Sequence, residues 1–508
     1  MDFSWITRRE AGVFLHISSL PSAYGIGNIG SAADAFLDFA QKAGFSYWQI
    51  CPLGPTGYGD SPYQSFSAFA GNVYFIDFED LRDASLLDDS QLAPLRSLPE
   101  DRCDYGAIYA VIPDLVRSAA ANFFASSADK SAYEKFCKDN AKWLESYALF
   151  CALKRRFGSK CWLEWGDPKF RDFSYAKKHV PAECADEIVS VKFGQWVFFS
   201  QYEKFRAKAH KHGIEIFGDI PIFLSLDSAD VWANPELFEL DKKTFKPKNV
   251  AGVAPDYFSE TGQLWGNPLY DWKNARRQLF AFWHRRIAAA AQMYDVIRFD
   301  HFRGFADYWS IPAKYSDARK GSLRKGPDGE FFEFIKREFP RQKFVAEDLG
   351  LLSKAAFKLR DGINIPSMAV LQFAFGDTPK NPYLPHNVRR NCVYYTGTHD
   401  NNTSIGWYES ATEAAKDEAR RYFRASGDAV NWDMIHAVML SVAAVAVFPM
   451  QDIIGLGAWA RTNTPGKPDG NWQWRMTAQQ LQKALRDNAT YLRSLCELSD
   501  RLKNCVEK

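Results

Sequence analysis

The stretch Asp295 to Phe305 reads DVIRFDHFRGF. It begins as a buried strand, with Val296, Ile297 and Phe299 apolar. It ends in a knot of polar groups: Arg298, Asp300, His301 and Arg303, closed by Gly304. Residues two apart in a regular strand point to one face, so Arg298 and Asp300 share a side. Such a carboxylate is either a salt-bridged strand end or a reactive group whose charge its neighbours hold. The strand belongs to a recurring pattern, and that pattern decides the fold.

Seven further runs resemble it: GVFLHI (12–17), YWQICP (47–52), IEIFGDIPI (214–222), KFVAED (343–348), SMAVLQ (367–372), CVYYTGT (392–398) and VAVFPMQD (445–452). Most are apolar throughout, as parallel strands buried on both faces are. Helical patterns lie between them. Ser31 stands where an N-cap would open AADAFLDFAQKAG, with Asp34 at the capping-box position and Gly44 as a stop. NARRQLFAFWHRRIAAAAQMY precedes the fourth strand and NWDMIHAVMLSVAA the eighth, while Thr477 to Leu498 reads as a scaffold helix. Eight strands alternating with helices predict an α/β chain folded as a (β/α)8 TIM barrel rather than an open sheet. Residues 1–508 then form a single catalytic barrel. Two inserts sit on its C-terminal loop face, 53–213 largely helical and 223–273 loop-rich with Pro, Asn and Gly.

Composition narrows the function. A net charge of +2 over 508 residues gives no field suited to nucleic acid or an anionic membrane. The longest nearly apolar run, 437–448, is too short to span a bilayer. Nine scattered cysteines without C-x-x-C or metal-ligand spacing suggest reduced thiols. The start, MDFSWITRRE, has no apolar signal core, which points to the cytoplasm or to a processed organellar protein. Oligomeric state leaves no mark in the sequence. The aromatic share of 15% suits a packed core and also suits stacking on sugar rings. Gly25 to Gly30 matches G-x-G-x-x-G, but seven residues separate it from the strand ending at Ile17, and no acid ends the next strand. A dinucleotide site needs both features, so no nicotinamide or flavin cofactor is expected.

In a (β/α)8 barrel the active site forms at the C-terminal strand ends. Those ends carry Asp219, Asp300, Glu347 with Asp348, Asp400 and Asp452, five of eight strands. Converging carboxylates beside arginine and histidine suit glycoside chemistry, which needs a proton donor and a carboxylate facing an oxocarbenium-like centre. Metal binding fits worse, because no D-x-D or H-x-x-x-H spacing supplies ligands and Arg298 would compete with a cation. No G-x-S-x-G elbow supports serine chemistry. Asp452 reads as structural, satisfying loop amides. Trp265, in a Gly/Asn/Pro loop, reads as groove-lining. The Trp472-Gln473-Trp474 run reads as packing, and His301 as either a sugar contact or a packing residue.

Several stretches together resemble the 4-α-glucanotransferase (amylomaltase, disproportionating enzyme) family, within the α-amylase-like retaining barrels. They are HISSLPSAYGIG, CPLGPTGYGDSPYQSFSAFAGN, FGDIPIF, APDYFSETGQLWGNPLYDW, IRFDHFRGF, VAEDLG, YYTGTHDNNT and QDIIGLGAWARTNTPGKPDGNWQWR. The resemblance is to the short form and covers nearly the whole barrel. It implies Asp300 as nucleophile, Glu347 as general acid/base and Asp400 as the third carboxylate, holding the 2- and 3-hydroxyls. It implies Arg298 orienting the nucleophile, His399 binding sugar, and Asp219 as a polar contact at the cleaved ring. Tyr63 and Trp265 would line the groove, with Ser61 and Asn463 as lesser polar contacts. It also implies α-1,4-glucan donors, glucose- or maltose-type acceptors, and neither metal nor cofactor. The chain departs from the family pattern at Phe299, Asn402 and Thr462, none of them catalytic.

Roles follow from environment. If Arg298 and His399 lie near Asp300, their positive character keeps it ionised as a nucleophile. Glu347 must stay protonated near neutrality, which requires an apolar or anionic setting. The two carboxyl groups of a retaining enzyme stand roughly 5 Å apart. Transfer to a glucan and hydrolysis share these carboxylates, so an amylase-type hydrolase is the rival reading. Transfer needs long loops that shield the intermediate from water. A non-catalytic glycan-binding barrel would lack one of the carboxylates, and none is missing.

Overall fold

The computed structural model describes residues 1–255, 260–350 and 352–502, so Asp256 to Ser259 of the APDYFSETG stretch lie outside the described residues. Each of the eight apolar runs overlaps a strand: β1 (Glu10–Phe14), β2 (Tyr47–Gln49), β3 (Glu215–Pro221), β4 (Val296–Asp300), β5 (Lys343–Ala346), β6 (Ser367–Val370), β7 (Cys392–Tyr395) and β8 (Val445–Pro449). All neighbouring pairs are parallel, in the order β6-β7-β8-β1-β2-β3-β4-β5. Consecutive strands are therefore neighbours around a nearly closed barrel. At the remaining joint the Ala346 N–H donates to the Pro366 carbonyl at 2.9 Å. Register carries function here: Asp219 of β3 pairs opposite Arg298 of β4. Gly218 beside Asp219 is required by close approach, since a Cβ there would lie 2.2 Å from the Tyr294 ring.

The aromatic excess is spent largely on packing. Trp48, Trp162, Trp165, Trp232 and Trp283 are fully buried. Phe299 stacks on Phe344 with centroids 5.0 Å apart, and Phe305 stacks on Phe331 at the same distance, joining β4 and β5 to the helix Asp328–Glu338. The Gly25–Gly30 loop is a packing device. A Cβ on Gly27 would come within 1.9 Å of the Ile17 carbonyl oxygen.

The predicted helices appear as Ser31–Lys42, Arg276–Met293 and Val430–Leu440. Ser31 is the first helical residue of its helix rather than the cap. Gly30 occupies the cap position and offers no side chain. Gly44 stops that helix with φ +78°. The C-terminal segment runs from a Thr477–Gln480 capping box through Ala478–Lys483, a π-helical turn at Ala484–Asn488 and Ala489–Leu498.

Between β2 and β3 lie the helices Phe78–Asp83, Asp89–Arg96, Tyr105–Ala125, Ser131–Arg156, Phe173–Lys178 and Ala185–Lys211. The last is the barrel's own crossover helix. Its Phe205 packs edge-on to Trp48 of β2 at 5.4 Å, its Lys208 pairs with Asp34 of the first helix, and Tyr202 donates to the Met293 carbonyl. The segment after β3 is more ordered than a loop. Its strands Asn249–Val253 and Gln263–Pro268 join Asp307–Pro312 and Ser322–Lys325 in a four-stranded antiparallel sheet.

Candidate active site

The β3–β4 corner of the rim is deeply buried. Arg298 and Asp219 are 4% and 3% exposed. One guanidinium nitrogen, Arg298 Nη1, donates to Asp300 Oδ1 at 2.9 Å and to Asp219 Oδ2. The two-residue spacing and the cross-strand register thus meet on a single atom. Asp219 Oδ2 also accepts from the Tyr63 hydroxyl at 2.8 Å. Burial pushes the Asp219 carboxyl upward and Arg298 opposes it. Asp300 keeps 27% of its side chain exposed, so its free edge faces the mouth.

Tyr63 begins a second line of contacts. The Ser61 hydroxyl accepts the Tyr63 N–H at 3.2 Å and shapes the turn that presents the ring. That ring stacks on His399 with centroids 5.0 Å apart and planes 19° off parallel. His399 Nε2 lies 3.4 Å from Asp400 Oδ1, and Asn463 Nδ2 donates to the same oxygen at 2.6 Å. Arg461 Nη2 ties down the Asp400 main chain by donating to its carbonyl at 2.5 Å. Asp400 is therefore braced yet remains 45% exposed. His399 does not lend the positive character expected of it, because burial lowers its pKa and favours neutral imidazole despite Asp400. The fixed positive charge beside Asp300 is Arg298 alone among these groups.

Glu347 follows β5. Its Oε2 accepts the His301 N–H and its Oε1 the Leu349 N–H, each at 2.9 Å. Burial raises its pKa well above the usual carboxylate range. Asp300 adds to the rise, and Arg298 opposes it without cancelling it. His301 adopts φ +49°, a left-handed conformation that histidine enters more readily than most residues. This sharp turn after the strand aims its N–H at Glu347. Its ring meets Trp265 edge-on at 4.8 Å, and desolvation pulls its pKa down to about 4. Trp265, on the antiparallel sheet, donates Nε1–H to Gln263 Oε1 at 3.1 Å.

All eleven candidate residues are therefore linked. Ser61, Tyr63, Asp219, Arg298 and Asp300 form one chain of contacts. His399, Asp400 and Asn463 extend it from the Tyr63 ring, while Glu347, His301 and Trp265 form a second set of contacts joined to the first through the Asp300–His301 peptide. Asp452 lies outside this set. It accepts from the Thr396 hydroxyl at 2.6 Å and the Ser404 N–H at 2.7 Å, as a loop-fixing carboxylate does.

Trp472 is buried, as a packing residue should be, with its ring 5.7 Å from His399 and 5.9 Å from Tyr63. One residue at the site was not singled out from sequence: Arg461 braces Asp400, and its place two residues before Asn463 was the available signal. The departures from the family pattern are accommodated locally. Phe299 stacks on Phe344, Thr462 accepts from Gln451 at 2.9 Å, and the Asn402 side chain accepts the Thr403 N–H at 2.9 Å.

Comparison with known proteins agrees with this fold. The 4-alpha-glucanotransferase family profile matches residues 15–481. The chain is 44% identical to the 4-alpha-glucanotransferase of Thermus thermophilus over 506 residues, covering 97% of this chain and 99% of that one. It is 39% identical to the chloroplastic/amyloplastic 4-alpha-glucanotransferase of Arabidopsis thaliana, covering 98% of this chain and 86% of the relative. Among solved structures, the amylomaltase of Streptococcus agalactiae in complex with acarbose superposes with a TM-score of 0.92 at 35% identity, covering 98% of this chain and all of that one. The chain belongs to the 4-alpha-glucanotransferase family, glycoside hydrolase family 77.

Proposed function

We propose that this protein moves α-1,4-glucan segments from a donor malto-oligosaccharide or starch-type glucan to the 4-hydroxyl of an acceptor glucan, glucose or maltose. Asp300 attacks the anomeric carbon while Glu347 gives its proton to the departing glycosidic oxygen. The donor's C1–O bond breaks and a glucosyl ester forms on Asp300. The acceptor 4-hydroxyl then attacks the same carbon, Glu347 takes its proton, and the ester bond breaks. Two inversions retain the α-configuration. Asp400, braced by Asn463 and Arg461, faces the sugar hydroxyls. Tyr63, His399 and Trp265 line the groove.

The observation that carries this reading is the contrast between the two carboxylates. Asp300 shares a guanidinium and opens to the mouth, while Glu347 is pushed towards its protonated form by burial and by Asp300. That division suits a nucleophile and an acid/base working in sequence. The hydrolase reading uses the same groups, and family membership favours transfer over it. A reducing compartment fits the eight described cysteines, which are all free thiols. That supports a cytoplasmic or organellar-stroma location. No described helix is long and apolar enough to cross a membrane.

Incubation with maltotriose tests the reaction. Free glucose together with oligosaccharides longer than the donor is expected. Only maltose and glucose, with reducing ends rising, would sink transfer in favour of hydrolysis.

A further inference from the structure

Strand ladders join seven of the barrel's eight neighbouring pairs, and β5 and β6 meet without one among the described residues. The Ala346-to-Pro366 bond crosses this joint at strand level. At the rim above it, a side chain closes the gap. Asp348 Oδ1 accepts the Met368 N–H of β6 at 2.7 Å. Asp348 Oδ2 accepts from Arg360 Nη1 at 2.7 Å, on the helix Lys354–Ile363. The two side chains are 3% and 7% exposed. Arg360 continues to Asp361, which pairs with Arg389 in the segment leading to β7.

A buried ion pair is a poor device for stability alone, because desolvating both charges offsets most of their attraction. This pair does something that an apolar contact could not. It anchors one specific main-chain turn across an open joint. That turn is Glu347-Asp348-Leu349, and the Leu349 N–H is one of the two donors holding the Glu347 carboxyl.

We propose that Asp348 is a positioning residue for Glu347: it pins the turn across the unladdered joint and so fixes the amide that orients the acid/base carboxyl. The proposal rests on the reading of Glu347 as acid/base. The charged and titratable groups facing Glu347 are Arg298 and Asp300 of β4, His301 of the following turn, Asp348 on its own turn, and Tyr383 from the connection before β7. Arg360 stands behind Asp348. The negative charge of Asp348 favours the protonated form of Glu347, and Arg360 cancels part of that influence.

The test uses Asp348→Asn, Arg360→Gln and the double variant of the full-length protein. The measurement is the pH dependence of kcat/KM for maltotriose disproportionation, alongside thermal unfolding. Asp348→Asn is expected to lower kcat roughly ten- to hundred-fold, as misplaced catalytic groups do. It should also move the high-pH limb down by about half a unit. Arg360→Gln should move the limb up by a similar amount, and the double variant should return it towards the parent. Opposite movements are not produced by general loosening. An unchanged kcat in Asp348→Asn, or any limb movement other than opposite ones in the two single variants, overturns the proposal. Should Asp348→Asn fail to fold, Arg360→Gln decides alone: an upward move supports the proposal, and any other result overturns it. Glu347→Gln separates the layers. If it stays active with its high-pH limb intact, the acid/base reading fails and takes this proposal with it. If it is inactive while the single variants leave the limb unmoved, the positioning role alone fails.

Discussion

Strand β4 is preceded by one aspartate and ends in another, and the two ends differ in kind. Asp295, at the N-terminal face of the barrel, has its acceptors filled. Arg206 Nη2 donates at 2.5 Å, His210 Nε2 stands 3.0 Å away, and the Ile216 N–H donates at 2.8 Å. Burial pushes its pKa up, but His210, Arg206 and the Ile216 amide together outweigh that and hold it below the usual range. Asp300, five residues on, shares the single nitrogen Arg298 Nη1 with Asp219 and leaves an edge open. The same residue type, at the two ends of one strand, is saturated at one end and left open at the other, where the proposed mechanism makes it the nucleophile. The contrast matches the barrel's division between a stabilising N-terminal face and a catalytic C-terminal one.

The strongest way to break this comparison is to exchange each carboxylate for its amide. Asp300→Asn should cut turnover by about 10⁴-fold or more, since no nucleophile remains. Its thermal midpoint should hold, because the group is partly exposed and contributes one shared ion pair. A fall of several degrees in Tm would show Asp300 to be structural as well, and the contrast between the ends would collapse. Next in size is Glu347→Gln. A loss of about 10²- to 10⁴-fold in kcat is expected, with the high-pH limb abolished. Retention of that limb would assign it to another group.

The smaller effect belongs to the other end. Asp295→Asn should destabilise the fold by about 1–3 kcal/mol, because three donors lose a charged acceptor. Turnover per folded molecule should stay within about twofold of the parent, as for a change remote from the site. Urea unfolding and active-site titration check the two halves separately. Unchanged stability would mean that Arg206 and His210 find water as readily as they find Asp295.

How much of this was legible depends on what tertiary structure adds. The eight barrel strands could be read because parallel strands buried on both faces must be apolar throughout. The Arg298–Asp300 contact could be anticipated because strand spacing puts both side chains on one face. Asp219 joining the same guanidinium could not, since it depends on the β3–β4 register, a relation between distant segments. Trp472 could be read as packing, and it is buried, but that it packs beside the Tyr63 and His399 rings depends on a contact between distant segments. The antiparallel sheet escaped notice for a different reason. Its strand Ser322–Lys325 is mostly exposed and polar, and Gln263–Pro268 carries Gly and Pro, so neither shows the alternation of a half-buried strand. Helix Ala185–Lys211 packs both on the helices of the insert and on β2 and the first helix, a double role that a one-dimensional reading of 53–213 does not reveal.

The subtlest consequence is a change of slope rather than of midpoint. The native-state pKa of Asp295 lies below its unfolded value, so its contribution to stability is fully present above the unfolded carboxylate range, about pH 4. As pH falls through the native value, the native carboxylate takes up its proton and the contribution disappears. Asp295→Asn has no such proton to bind. The stability difference between parent and variant should therefore be larger near pH 5 than below about pH 4, the two curves converging in acid. A gap that widened in acid would reverse the sign and mean that burial, not the Arg206–His210–Ile216 cage, dominates at this end. Asp295 would then be held as Glu347 is, by desolvation, and the saturation argument that separates the two ends of β4 would fail.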